Sequence, residues 1–111
     1  MDATSFEFRL AVPAGTRFHP AVHSLIVKAG TYAGCAPGAS TALADAVVAM
    51  VAGLGQGTPT EVQCWRDGGT IEVAIAGDGP GEPVLSPPAG SVRVRCGPDG
   101  GRWVCRVVMD V

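Results

Sequence analysis

The spacing of apolar residues changes period along this chain, from strand to helix and back to strand, and that order confines it to a helix-on-sheet arrangement. Phe6, Phe8, Leu10 and Val12 alternate with Glu7, Arg9 and Ala11, the pattern of a strand with one dry and one wet face. Pro13-Ala14-Gly15 stops it. From Pro20 the spacing lengthens, and Val22, Leu25, Ile26, Ala29 and Ala33 fall on one face of a helix predicted over about Pro20 to Ala33, with Pro20 in the first turn and Gly34 at the end. A second helix is predicted after Pro37-Gly38, capped by Ser40 or a neighbour. Leu43, Ala46, Val47, Met50, Val51 and Leu54 form its stripe, and Gly53, Gly55 and Gly57 dismantle it. Its many alanines, with Gly30 in the first helix, let the two helices approach closely.

Two hairpins follow. Taking Asp67-Gly68 as a two-residue turn pairs Arg66 with Gly69, Cys64 with Ile71 and Val62 with Val73, which puts the apolar residues of both strands on one face. The other face holds Glu61, Gln63, Trp65, Thr70, Glu72 and Ala74. For the last pair, a four-residue loop Gly97-Pro98-Asp99-Gly100 sets Val94 opposite Trp103 and Val92 opposite Cys105, whereas a five-residue loop mixes the faces. With the four-residue loop, Arg93, Arg95, Arg102 and Arg106 share the outer surface with Val104 and Val108. Gly77 to Gly90 reads as a connection rich in proline and glycine. The order βααββββ predicts a single α+β domain, a two-layer sandwich of a mostly antiparallel five-stranded sheet with two helices on one face.

The 111 residues suffice for one core, and 47% hydrophobic against 16% charged residues argues for a packed globule. A net charge of -2 gives no positive field to recruit nucleic acid or anionic membrane. Met1 to Ser5 lacks a basic region followed by an apolar core, and Ala42 to Leu54 is too short to span a bilayer, so a cytoplasmic location is expected. Cys35, Cys64, Cys96 and Cys105 contain no C-x-x-C pair and are expected to be buried free thiols.

Val73-Ala74-Ile75-Ala76-Gly77-Asp78-Gly79-Pro80-Gly81 is a strand running into an Asp/Gly loop. Together with the element order and the alanine-rich second helix, it resembles the histidine-kinase-like (GHKL) ATPase fold, in its short anti-sigma-factor or serine-kinase-like branch common in bacteria. The resemblance covers about Phe6 to Val111 and rests on organisation plus two motif slots. In that family a Glu-x-x-x-Asn motif on the second helix supplies an acid that activates water and an Asn that helps hold magnesium. Asp45 fills the acidic slot here and Ala49 the other, and alanine has no oxygen for a hard cation.

The family's Asp-x-Gly-x-Gly motif reads adenine through its carboxylate. Aligned on Gly79 and Gly81, the Asp position holds Gly77; shifted to rescue Asp78, the glycine positions hold Pro80 and Glu82. Glu82 to Ala89 has neither the cations nor the glycine run of a phosphate-binding lid. The resemblance therefore implies a vestigial cofactor site at Asp45, Asp78, Gly79 and Gly81, no cofactor and no turnover. Read without it, Asp78-Gly79-Pro80-Gly81 is a plain turn.

Other chemistry is thin. His19 and His23 are spaced to share a metal but have no third ligand nearby, so they read as surface or capping residues. No G-x-S-x-G or cysteine-hydrolase signature is present. Trp65 with Arg93, Arg95, Arg102 and Arg106 combines the residue types enriched in protein interfaces, although a solvated strand face has the same composition. The leading expectation is a non-catalytic GHKL-like binding or regulatory module acting on a protein partner through its open sheet face. The alternative is a nucleotide- or small-ligand-binding protein without turnover, with a pocket between Asp45, Asp78 and the helices. A homodimer through the exposed sheet is a third reading.

Overall fold

Strand β1 (Glu7–Val12) leads into helices α1 (His19–Ala33) and α2 (Pro37–Leu54), followed by β2 (Thr60–Asp67), β3 (Thr70–Gly77), β4 (Arg93–Asp99) and β5 (Arg102–Asp110). The structure is a computed structural model that describes residues 6–15, 17–54, 59–77 and 92–110, without the side chains of Leu54 and Asp67. One five-stranded sheet has the order β1-β2-β3-β5-β4, and every pairing is antiparallel. The two helices pack against one of its faces, giving the α+β sandwich that the periodicities imply.

The core lies between the layers. Val62, Cys64, Ile71, Val73, Ile75, Cys105, Val107 and Met109 point inward from β2, β3 and β5. Val22, Ile26, Ala29 and Ala33 of α1 meet them together with Leu43, Ala44, Val47, Met50 and Val51 of α2. Leu25, expected on the buried face of α1, is 37% exposed at the margin of that stripe. Cys64 is fully buried at the centre of the inner face, and desolvation pushes its thiol up to about 12, so it stays protonated and inert at neutral pH.

Both hairpin registers differ from those expected, by shifts that leave every face intact. The β2–β3 turn is Gly68-Gly69, which pairs Asp67 with Thr70, Cys64 with Val73 and Val62 with Ile75. Gly68 takes the positive φ (60°) that a two-residue hairpin turn asks of its first central residue, where Asp67-Gly68 would place an aspartate. The β4–β5 turn is Gly100-Gly101, with φ of 61° and 85°, in place of the four-residue loop. Val94 then faces Val107, Cys96 faces Cys105 and Asp99 faces Arg102. Against expectation the strand absorbs Gly97 and Pro98, and it tolerates Pro98 because β4 is an edge strand whose open side needs no donor.

The second register also corrects the reading of the cysteines. Cys96 and Cys105 are cross-strand neighbours and form a disulfide, which leaves only Cys35 and Cys64 free among the described residues. In the expected register Cys105 faced Val92, so no bond could be foreseen. Met50 Sδ lies 3.9 Å from Cys96 Sγ, placing α2 against this hairpin.

Gly34 ends α1 in the left-handed conformation (φ 102°), with Cys35 N–H donating to the Gly30 carbonyl and Gly34 N–H to that of Thr31. Helix α2 starts earlier than Ser40, at Pro37, where the missing N–H costs nothing. Ser40 is therefore no cap: it is fully buried at the crossing of the two helices. A Cβ on Gly30 would come within 2.7 Å of Ser40 Oγ and 3.1 Å of its Cβ, so the small residues at both positions set how closely the helices approach. The Ser40 hydroxyl has no hydrogen-bond partner among the described residues. Gly30→Ala should therefore lower stability by about 1–3 kcal/mol through overpacking, whereas Ser40→Ala should be neutral or stabilising because it removes an orphan hydroxyl. Urea unfolding of both variants checks the pair.

Candidate functional site

Strand pairing turns the outer sheet face into a grid of cross-strand rows. One row runs Glu7, Trp65, Glu72, Val108, Arg93; the next runs Arg9, Gln63, Ala74, Arg106, Arg95; the third runs Ala11, Glu61, Ala76, Val104, Gly97. No described helix covers this face, and the sequence assigns these positions to it apart from Ala76, which it left unassigned, and Gly97, which it placed in a loop.

The grid separates the four arginines that the sequence grouped. Arg93 is taken by Asp110, with Nη1 at 3.3 Å from Oδ2 and Nη2 at 3.2 Å from Oδ1. Hydrogen bonding and then the charge of Arg93 hold the Asp110 carboxyl below the usual carboxylate range. This contribution is present at neutral pH and is lost as acid protonates Asp110. Arg102 lies at the turn opposite Asp99. Arg95 and Arg106 remain, directly opposite one another. Arg106 reaches Glu72 at 3.7 Å across exposed surface, a weak pair, and Arg95 has no ion pair among the described residues.

Beside these two arginines the sheet has a hollow of about 270 Å³ lined by residues 95–99 of β4 with Val104 and Arg106 of β5. Gly97 contributes no side chain, and its neighbours across the row are Val104 and Ala76. Gly97 and Val104 give the hollow small apolar surface, and its charged lining is mixed: Arg95 and Arg106 outnumber the single carboxylate of Asp99, which leaves an excess of cationic groups for an anion to meet. Trp65 belongs to the same face but is two strands from β5, about 10 Å away by strand spacing. It borders the surface without entering the hollow.

The slots implied by the ATPase resemblance lie elsewhere. Asp45 is exposed on α2, and its Oδ1 is 2.8 Å from His23 Nε2 of α1. Ala49 is exposed one turn further along. Asp78, Gly79 and Gly81 lie outside the described residues, as does Glu82 to Ala89, so only the Asp45 half of that constellation has a described position. Among the described residues no group of three or more His, Cys, Asp or Glu is placed to hold a metal ion. His23 bonds to an acid on the neighbouring helix, a contact 22 positions away in sequence that no local spacing signals.

No protein-family model matches the chain, and no curated protein matches it either. Among the described residues no helix is long and apolar enough to cross a membrane.

Like charges directly opposite in an antiparallel pair oppose folding. Arg95→Glu converts the Arg95–Arg106 pair into an attractive one, so thermal or urea unfolding should show the variant more stable by about 0.2–1 kcal/mol. A loss of stability would mean that the arginine at this position serves the fold.

Proposed function

We propose that the chain is a non-catalytic GHKL-like module that works by protein–protein contact, receiving an acidic segment of its partner on the outer sheet face. The observation that carries this reading is the Arg95–Arg106 pair beside the Gly97–Val104 hollow, on a face left bare by the helices. Two cations held opposite each other cost the free protein stability, and an incoming carboxylate offsets that cost. Half-buried Val104, Val108 and Trp65 supply apolar area around the charges.

Absence of turnover is supported by the residues in the ATPase slots. Ala49 gives magnesium no oxygen. The Asp45 carboxylate, which in the resemblance would activate water, is bonded to His23. Kinship with GHKL proteins remains part of the proposal and rests on the element order and these slots. The proposed cytoplasmic address is the part that the disulfide weighs against, since such bonds persist in oxidising surroundings; under reducing conditions Cys96 and Cys105 would face each other as a dithiol.

Two titrations test the reading. Calorimetry with ATP and magnesium should show neither binding nor hydrolysis, and micromolar binding with turnover contradicts it. A fluorescently labelled oligoglutamate peptide should bind in a salt-sensitive manner. Arg95→Glu and Arg106→Glu should each weaken that binding by about tenfold, equivalent to about 1.4 kcal/mol, and binding indifferent to both changes overturns the assignment of the face.

A further inference from the structure

The two edges of the sheet are built differently. Edge strand β4 carries Pro98 and the like charges Arg93 and Arg95, features that discourage pairing with another strand. Edge strand β1 has neither proline nor glycine, and no described strand pairs with its outer side. Arg66 N–H donates to the Phe6 carbonyl at 3.1 Å. By alternation Phe6, Phe8 and Leu10 bond to β2, which leaves the N–H and C=O groups of Glu7, Arg9 and Ala11 directed at the open edge.

We infer that this edge pairs with β1 of a second copy of the chain, antiparallel about Phe8, joining two five-stranded sheets into one. Phe6-Glu7-Phe8-Arg9-Leu10 is complementary to itself in that register. Glu7 lies opposite the partner's Arg9 and Arg9 opposite the partner's Glu7, both as hydrogen-bonded pairs through the groups that face the edge. On the inner face Phe8 meets the partner's Phe8, and Leu10 meets the partner's Phe6. Shifting the centre to Arg9 would set two arginines against each other, so charge selects the register. Glu7 is already held in place on the outer face, its Oε1 accepting from Gln63 Nε2 at 2.7 Å, and Arg9 has no ion pair among the described residues.

Apolar surface beside this edge fits the same occupant. Leu10, Val12, Phe18, Ala21, Val22 and Leu25 line a hollow of about 360 Å³ between β1 and α1. Phe18 is 41% exposed and Tyr32, edge-on to the Phe6 ring at 5.6 Å between centroids, is 60% exposed. In the proposed register the partner's Phe6 arrives beside Leu10, at this hollow, and the two-fold axis places the same contact at the other end.

Sedimentation equilibrium of the full chain tests it, with circular dichroism to confirm that each variant is folded. The wild-type protein should show a concentration-dependent dimer. Glu7→Arg and Arg9→Glu alone should each weaken it by about tenfold, because every dimer then holds two like-charge cross-strand contacts, and the exchange Glu7→Arg with Arg9→Glu should restore it. The milder Glu7→Gln and Arg9→Gln should weaken it less, in the same direction. A protein that is monomeric throughout, or a dimer whose dissociation constant ignores the single charge changes, overturns the inference.

Discussion

The fold depends on the dry face of a sheet meeting two helices that touch through small residues. Gly30 of α1 and Ser40 of α2 allow this approach: a single added methyl at position 30 would sit 2.7 Å from the serine oxygen. With the helices tightly joined, their apolar stripes act as one layer over Val62, Val73, Ile75 and Val107. The fully buried side chains of that layer, each worth about 1.5–3 kcal/mol, offset the entropy of ordering the chain. Ser40 is small enough for this place but brings a hydroxyl that finds no partner among the described residues.

Putting both helices on one side has a consequence for the other. The outer face is not covered by any described element, so its chemistry is decided by strand register alone. Register brings Arg95 to Arg106 and gives Arg93 to Asp110. It also brings Cys96 to Cys105, which ties the edge strand to its neighbour beside the hollow. The arginine pair, the hollow and the disulfide therefore sit on one hairpin, while α1 and α2 pack on the other side of the sheet. The His23–Asp45 contact on the exposed side of the helices belongs to that supporting role, since it joins α1 to α2 and occupies the acid that an ATPase would need free.

Faces were legible in the sequence and registers were not, for one physical reason. A strand's side chains alternate with period two, so any even shift in pairing preserves which residues are buried. Asp67-Gly68-Gly69 offers two neighbouring two-residue turns, and Gly97-Pro98-Asp99-Gly100-Gly101 offers a loop or a tight turn, all of the same parity. The choice fell to glycine's tolerance of positive φ at positions 68, 100 and 101. The inner and outer assignments of Val94, Trp103 and the arginines therefore survive, but their opposite numbers change. The disulfide went unseen with them. Helix stripes were readable from spacing, apart from marginal Leu25 and the early start at Pro37. The His23–Asp45 contact needed the helix pair itself, and the loop containing Asp78, Gly79 and Gly81 has no described position with which to compare.

If a partner is met on the outer sheet face, as proposed, and not at the helical slot that an ATPase would use, the two sides of the molecule will respond differently to an acidic ligand. Amide NMR of the isotope-labelled protein, titrated with an acidic peptide, tests this most directly because each face reports separately. Shifts should concentrate at Arg95, Gly97, Val104 and Arg106, with Asp45 to Ala49 unmoved. Shifts centred on α2 around Asp45, with the β4–β5 hairpin silent, would contradict it.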